Sequence, residues 1–221
     1  MFKVRCSAIG SIMTSDRSGK GLSATAKSHV EDWYKLQLYG MQKNINSKYL
    51  RKGIEQEDAA IELVADYYGK GILFKNEDFY ENDFSTGTPD VICSGGKEIR
   101  DTKCSWNAYT FPLLKSELPS KDYYWQMQGY MALTGAEVAY IDYVLMNSLT
   151  EEIERSTVAK YGEDYTEEDY TEVHESMTYD RHPMNLRIKT FKVPRCDEDI
   201  EKIKERVMLC REYLETIKIK Q

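Results

Sequence analysis

The sequence predicts an α/β protein in which a mixed (α+β) sheet is flanked by helices. Two segments, residues 47–68 and 121–133, carry apolar residues at helical spacing, and short segments rich in β-branched residues lie between and after them. The element order is helix, strands, helix, strand, then a late strand and helix, which is typical of a sheet covered by helices. The 221 residues suffice for one sizeable core, so a single domain over residues 1–221 is expected.

The composition is that of an ordinary globular protein. Charged residues make up 30% of the chain and the net charge is −7. No apolar run approaches the roughly 20 residues of a membrane span, and the N-terminus lacks the long apolar core of a signal peptide. A cytoplasmic protein without a membrane partner is therefore expected. The five cysteines are scattered and form no C-x-x-C pair, so free thiols are expected rather than disulfides or a zinc site.

Charge is unevenly distributed along the chain. Residues 1–52 contain ten lysines and arginines against three acids, whereas residues 151–180 contain eleven acids against two basic residues. A basic N-terminal part is what a phosphate-binding surface needs. From charge alone, the simpler interpretation, a solvated helical face, is favoured.

The N-terminal half predicts two helices. Ser23 is the expected N-cap of a helix that runs to about Tyr39, where Gly40 ends it. A longer helix is predicted from about Ser47 to Tyr68.

The longer helix carries an acidic residue on its apolar face. Its buried stripe is predicted to consist of Ile54, Ile61, Val64 and Tyr68, and Glu57 falls on that stripe. A carboxylate that faces inward is costly unless it is paired or bound to a metal. The alternative, that Glu57 only borders the stripe, stays open.

Residues 88–104 predict a β-hairpin. Its halves, residues 88–93 and 97–104, are rich in β-branched residues and meet at Gly95-Gly96, which predicts a two-residue turn. Paired positions then sum to 191, so Asp90 lies opposite Asp101 with Cβ atoms roughly 5 Å apart.

Two like charges face each other in this predicted hairpin. Lys103 lies two residues beyond Asp101 and therefore on the same face of the strand. Like charges paired across strands are destabilising. A divalent cation held by the carboxylate oxygens of Asp90 and Asp101 would explain the arrangement.

The remaining elements follow from the same signals. A helix is predicted from about Lys121 to Leu133, ended by Thr134-Gly135. The others are strands at 72–75 and 79–82, a connecting segment at 106–114, a buried strand at 137–146, acidic helical or loop material at 150–178, an edge strand at 186–193, and a terminal amphipathic helix capped by Asp197 or Asp199.

Taken together, the polar residues match an ordered pattern. The chain has, in order, Gly53-x-x-x-Glu57 on a helix, Pro89-Asp90 on a strand, Asp101-x-Lys103 on its hairpin partner, and Gln126-x-x-x-Tyr130 on the next helix, with Gln128 nearby. This order resembles the PD-(D/E)XK nuclease superfamily, and more closely the phage-type exonucleases of the lambda exonuclease and YqaJ group, related to RecB nuclease domains. The resemblance runs from residue 47 to about residue 145.

The resemblance implies a restriction-endonuclease-like core and a metal-dependent deoxyribonuclease. Residues 71–146 would form the catalytic core, between a basic helical part at 1–70 and an acidic peripheral segment at 147–185, with the last strand and helix at 186–221. The implied cofactor is Mg²⁺, with Mn²⁺ as a substitute. The implied protein ligands are Asp90, Asp101, the main-chain carbonyl of Thr102, and Glu57.

The resemblance also implies roles for three further side chains. Lys103 would orient the attacking water and the scissile phosphate, or stabilise the pentavalent species. Gln126 would fix Lys103 or the water by hydrogen bonds, and Tyr130 would support that arrangement. No iron–sulfur cluster is expected, because Cys196 and Cys210 do not supply the three late cysteines of cluster-bearing relatives.

The expected substrate is linear double-stranded DNA, digested from 5′ ends for phage-type recombination in a bacterial or phage-infected cell. A single-strand annealing protein is an implied partner, and relatives form ring-shaped trimers. Two alternatives stay open: an endonuclease of restriction or junction-resolving type, and a non-catalytic DNA-binding module. The candidate DNA contacts are Ser7, with Arg5 in place of the usual arginine, together with Arg51 and Lys52.

Overall fold

A computed structural model describes residues 1–41 and 48–219 and confirms the predicted mixed α/β class. The strands are β1 (Val4–Arg5), β2 (Tyr80–Glu81), β3 (Ser85–Gly87), β4 (Val91–Cys93), β5 (Glu98–Cys104), β6 (Val138–Val144) and β7 (Ile188–Pro194). The helices are α1 (Ile9–Ile12), α2 (Ala24–Tyr39), α3 (Lys48–Tyr68), α4 (Lys121–Thr134), α5 (Thr150–Tyr161), α6 (Glu167–Met177) and α7 (Asp197–Ile217).

The larger sheet has the strand order β4-β5-β6-β7 and is mixed. Strands β5 and β6 run parallel, whereas β4 and β7 are antiparallel to their neighbours. A parallel pair needs a crossover connection, and α4 supplies it. A second, smaller sheet has the order β1-β3-β2.

Helices cover both faces of the larger sheet. On one face, Ile99 and Ile141 belong to the main core together with Met127 of α4. On the other, Val64 of α3 packs with Val144 in a smaller cluster. Because successive strand residues point to opposite faces, odd-numbered residues of β5 face α4 and even-numbered residues face α3.

The hairpin has the predicted register but a different turn. The observed pairs Val91↔Arg100, Ile92↔Ile99 and Cys93↔Glu98 all sum to 191. The predicted two-residue turn at Gly95-Gly96 is wrong, since residues 94–97 lie outside the ladder. Ser94, Gly95 and Gly96 have φ angles of 53°, 65° and 91°, and two glycines make this left-handed path accessible. The turn is symmetric about the predicted centre, so the register is unchanged.

Several predicted boundaries differ from the structure. Residues 72–75 form no strand beyond one bridge between Lys75 and Val91, and Ile72 and Phe74 are exposed. The first hairpin strand begins at Val91 rather than at residue 88. Neither Asp197 nor Asp199 caps α7: its N-cap is Cys196, without a side-chain cap bond, and the Asp199 carboxylate accepts from Tyr124 Oη at 2.6 Å.

Helix α2 has the predicted ends, with the Ser23 hydroxyl accepting from the Ala26 amide and Gly40 in the left-handed region. Helix α4 extends one residue past the prediction, to Thr134. The predicted start of the longer helix, Ser47, lies outside the described residues.

The predicted buried stripe of α3 is wrong at its two ends. Ile54 and Tyr68 are exposed, whereas Ile61 and Val64 are buried. The residue buried near the start of the helix is instead Lys52, because this end of α3 lies over main-chain carbonyls rather than over an apolar surface.

The N-terminal segment packs closely against the start of α4. A Cβ atom at Gly10 would lie 2.2 Å from Asp122 Oδ1 and 2.9 Å from the Asp122 Cα. Gly10→Ala is therefore expected to lower the free energy of unfolding by about 1–3 kcal/mol, the usual cost of overpacking, because a backbone atom of α4 must move. Urea unfolding followed by circular dichroism measures this.

Gly53→Ala is the matched control for that substitution. Gly53 also lies in a helix, but a Cβ there would meet nothing within 4 Å. The change should raise the free energy of unfolding by up to about 1 kcal/mol, since alanine is the better helix former. Equal effects of the two substitutions would contradict the close packing at Gly10.

Candidate active site

Two carboxylates meet at the start of the hairpin. Asp90 directly precedes β4, and the register places it across from Asp101 of β5, one step beyond the last ladder pair. The Asp90 carboxylate is fixed in place, because its Oδ2 accepts a hydrogen bond of 2.8 Å from the main-chain amide of Thr102. The hairpin alone therefore positions both acids.

Asp101 is almost completely buried, with 1% of its surface exposed. Its Oδ1 accepts a hydrogen bond of 3.1 Å from Gln126 Nε2. Its Oδ2 forms a close ion pair with Lys103, at 2.5 Å from the Lys103 Nζ, and no other donor among the described residues reaches that oxygen. With one such contact to each oxygen, the carboxylate keeps further lone pairs for a ligand.

The electrostatics of the pair oppose full ionisation. Burial, and then the charge of Asp101, raise the pKa of Asp90, although Lys103 acts in the opposite direction. Burial likewise raises the pKa of Asp101 against the effect of Lys103. Burial would lower the pKa of Lys103, but the charges of Asp101 and Asp90 outweigh it and raise that pKa, so the ammonium stays protonated. One ammonium does not neutralise the two carboxylates, and a further cation would stabilise their charged forms.

Lys103 contacts an aromatic ring in addition to its ion pair with Asp101. Its Nζ lies 4.9 Å from the ring centroid of Tyr123 on α4, within cation–π range. The Tyr123 ring in turn lies 6.1 Å from that of Tyr143 on β6. About a quarter of the Lys103 side chain is exposed, so the ammonium can reach a ligand from a fixed position.

Gln126 and Tyr130 share one face of α4, as predicted from their spacing. Gln126 Nε2 donates to Asp101 Oδ1 and also lies 3.2 Å from Tyr130 Oη. The sequence-based prediction had Gln126 contacting Lys103 or a water, whereas its protein partners in the structure are Asp101 and Tyr130. Gln128 points elsewhere: its amide joins the Pro194 carbonyl and the Cys196 amide, which ties α4 to the start of α7.

Glu57 lies near the pair but is engaged elsewhere. Its charge contributes to the raised pKa values of Asp90 and Asp101. Its Oε2 is 2.6 Å from Lys75 Nζ, because the bridge between Lys75 and β4 brings this lysine over α3. Within residues 1–41 and 48–219, no three His, Cys, Asp or Glu side chains are grouped so as to hold a metal ion.

Comparison with solved structures places this geometry among exonucleases. A phage-related exonuclease from Haemophilus somnus 129PT is 34% identical to the chain, with 98% of this chain and 95% of that one covered and a TM-score of 0.80. The chain belongs to the phage-type exonucleases of the PD-(D/E)XK superfamily. An alkaline exonuclease from Laribacter hongkongensis, 20% identical over 97% of this chain and 88% of its own, has the same fold at a TM-score of 0.65. No protein-family model and no curated protein matches the chain.

Two of the predicted DNA contacts in this phage-type exonuclease are committed to other partners. Lys52 is 1% exposed and donates to the Trp106 and Met146 carbonyls at 3.0 and 2.9 Å, and burial lowers its pKa to about 8. Arg51 pairs with Glu151 at 2.8 Å and with Glu152 at 3.4 Å. The buried position of Lys52 does not agree with the prediction of a DNA contact.

The other two predicted contacts are exposed near the site. Arg5 and Ser7 flank the buried Cys6. A Cβ atom at Gly87 would lie 3.2 Å from the Cys6 sulfur and 2.6 Å from the Tyr130 ring, so this segment of the phage-type exonuclease packs beside α4. All five cysteines are free thiols.

A buried ion pair on the opposite face of β5 was missed by the sequence reasoning. Arg100 donates from Nε and Nη2 to Asp142 at 2.8 and 2.7 Å, and the Thr190 hydroxyl donates to the same carboxylate. The sequence does contain a signal for this pair: Asp142 lies in the middle of the apolar run 137–146, and a buried carboxylate needs a partner.

None of the helices in the described part of the chain combines the length and apolarity needed to cross a bilayer.

Proposed function

We propose that this protein is a Mg²⁺-dependent exonuclease that hydrolyses linear double-stranded DNA. The observation that carries the proposal is the pair formed by the half-buried Asp90 and the buried Asp101 beside the protonated Lys103. Two carboxylates forced together without enough positive charge fit a divalent cation, and carboxylate oxygens are the ligands that Mg²⁺ prefers. Mn²⁺ is the expected substitute.

The donor set fits such an ion. Asp101 Oδ2 contacts only the Lys103 ammonium among the described residues and keeps further lone pairs, and Asp90 is oriented by the Thr102 amide. Asp90, Asp101 and the main-chain carbonyl of Thr102 would hold the ion, and Glu57 would join them only by leaving Lys75. When bound, the metal supplies a lowered pKa for a water ligand and neutralises charge that develops on the phosphate.

The chain's own side chains then orient the reactants. Lys103 presents a fixed ammonium to the scissile phosphate, where it stabilises the extra negative charge of the pentavalent species. Gln126 holds Asp101 in position by its hydrogen bond. Gln126 Nε2 donates to both Asp101 Oδ1 and Tyr130 Oη, so Tyr130 helps to keep the Gln126 amide oriented toward Asp101.

The finer assignments follow from the family. The phage-type exonuclease group supports digestion from 5′ ends, and a protein of the same fold has been solved with dAMP, a mononucleotide that DNA hydrolysis would release. Exposed Ser7 and Arg5, which flank Cys6, would meet a DNA phosphate. A ring-shaped homo-oligomer and a single-strand annealing partner complete the proposal.

Digestion of one linear duplex, labelled at either its 5′ or its 3′ end, tests these assignments. With Mg²⁺, the 5′ label should be released as mononucleotide before the 3′ label, and EDTA should abolish the release. A covalently closed circle of the same sequence should stay intact. Cleavage of the circle would indicate an endonuclease, and binding without any Mg²⁺-dependent product would indicate a DNA-binding module.

A further inference from the structure

A small pocket borders Lys103 and takes no part in holding the carboxylate pair. It has a volume of about 250 Å³, and its walls include Trp106, Tyr49 and Tyr123. Pockets for drug-sized ligands are larger, at about 300–1,000 Å³. The volume is therefore suited to a flat group of one or two rings beside the ammonium that would meet the scissile phosphate.

The aromatic walls form a corner. The rings of Tyr49 and Trp106 lie 4.8 Å apart at an angle of 72°. Lys48 Nζ lies 4.7 Å from the centroid of the Trp106 ring, so a cation from α3 covers part of the indole. Tyr49 is largely exposed, although a tyrosine ring usually buries its apolar faces. These rings offer the kind of π-surface on which nucleic-acid bases stack.

The inner part of the pocket carries polar groups with unused capacity. The Ser105 side chain is buried, and its hydroxyl has no hydrogen-bond partner among the described residues. The Lys52 ammonium, also in the lining, is buried and already donates to two main-chain carbonyls, so Ser105 is the lining group that is left to meet a ligand. Buried polar atoms are nearly always satisfied, so an unpartnered hydroxyl that lines a pocket points to a polar edge on whatever enters.

We propose that this pocket receives the base of the nucleotide next to the scissile phosphate. The inference rests on the proposed function, because Lys103 forms a wall shared by the pocket and the reaction site. Aromatic walls and a polar floor match a base, with its apolar faces and its polar edge, better than they match a lone phosphate. The Ser105 hydroxyl can donate to a base edge with acceptors, such as O6 and N7 of guanine.

Tryptophan fluorescence with dGMP as the probe tests the pocket without requiring catalysis. The protein in EDTA is titrated with dGMP and, separately, with 2-deoxyribose 5-phosphate. Saturable quenching is expected with dGMP alone, and Trp106→Phe should remove it. Trp33→Phe is the matched control, because Trp33 packs on Phe2 in the core and should leave the quenching unchanged. An equal response to the sugar phosphate, or no response to dGMP, would overturn the proposal.

A second measurement uses hydrolysis of linear duplex DNA in Mg²⁺. Trp106→Ala should slow removal of an ordinary terminal nucleotide by at least about tenfold, the usual consequence of losing one stacked base. A terminal abasic nucleotide should be removed at the same rate by the parental protein and the variant. Equal slowing on both substrates would show that Trp106 acts only structurally.

Two results keep this inference separate from the proposed function. If the parental protein hydrolyses no DNA, the proposed function fails, and the dGMP titration still decides the pocket. If Trp106→Ala does not fold, Tyr49→Leu removes the other wall of the corner from an exposed position, and the same rates are compared. Ser105→Ala should weaken dGMP quenching without changing the removal of an abasic nucleotide.

Discussion

Replacing Lys103 with methionine is expected to lower the rate of DNA hydrolysis by about 100- to 1,000-fold, the usual cost of losing one preorganised charge stabiliser. Methionine keeps the length of the side chain and its contact with Tyr123 but removes the ammonium that lies 2.5 Å from Asp101. The effect should appear in the turnover rate at saturating DNA and Mg²⁺, because the ammonium acts on charge that develops during the reaction. Release of labelled nucleotide from a linear duplex measures it.

Lys97→Met is the matched control on the same hairpin. Lys97 is exposed in the turn and pairs only with Glu137, at 3.2 Å, an interaction of little energetic value at a surface. Its loss should leave both the rate and the thermal midpoint unchanged. A Lys103→Met protein that digests DNA at the parental rate would refute the role of Lys103.

The pairing register of β4 and β5, which brings Asp90 and Asp101 together, could be predicted from the sequence. The count of residues about Gly95-Gly96 placed Asp90 opposite Asp101 because strand side chains alternate with a period of two. The turn itself was predicted wrongly, yet it changed by one residue on each side and so preserved the pairing. Helical spacing similarly placed Gln126 and Tyr130 together, since residues four apart lie on one face.

Tertiary partners were beyond such reasoning. Arg51 and Lys52 were named as candidate DNA contacts, but Arg51 meets carboxylates of α5 a hundred residues away, and Lys52 meets carbonyls of two distant loops. Glu57 was assigned to the metal, and Lys75 reaches it only through a bridge to β4. Each of these contacts depends on how separate elements pack, which no local spacing encodes.

Asp101→Asn is expected to abolish activity, with a loss of at least about 1,000-fold, because several kcal/mol of charge stabilisation depend on this carboxylate. Asparagine has nearly the same shape and keeps a carbonyl oxygen for Gln126, so the fold should persist. Mg²⁺ should raise the thermal midpoint of the parental protein, since it binds only the native site. It should not raise that of the variant. A midpoint shift retained by Asp101→Asn would show that the ion binds elsewhere.

The pH dependence of stability in EDTA gives an independent check on the pair. Because the pKa values of Asp90 and Asp101 are raised in the folded protein, the folded state holds these protons more tightly than the unfolded chain. The resulting stabilisation is present below the ordinary carboxyl pKa of about 4 and is lost as the pH rises through the raised values. In Asp101→Asn, stability should decline less as the pH rises. The substitution removes one titrating carboxyl group and also the charge repulsion that raises the pKa of Asp90.

Asp142→Asn distinguishes the role of Asp142 on β6 from that of Asp101 on β5, the two buried aspartates of neighbouring strands. Asp142 lies on β6 and points to the opposite face, where Arg100 is buried against it with 3% of its side chain exposed. Removing one partner of a buried pair costs about 3–5 kcal/mol. Because Arg100 keeps its bond to Glu98 at 3.1 Å, the variant should lose about 3 kcal/mol of unfolding free energy, the lower end of that range. Its response to Mg²⁺ should persist at temperatures where it stays folded. Asp101→Asn should thus lose activity while remaining stable, and Asp142→Asn should lose stability while keeping the metal site, because the pleat of the sheet turns Asp101 and Asp142 to opposite faces.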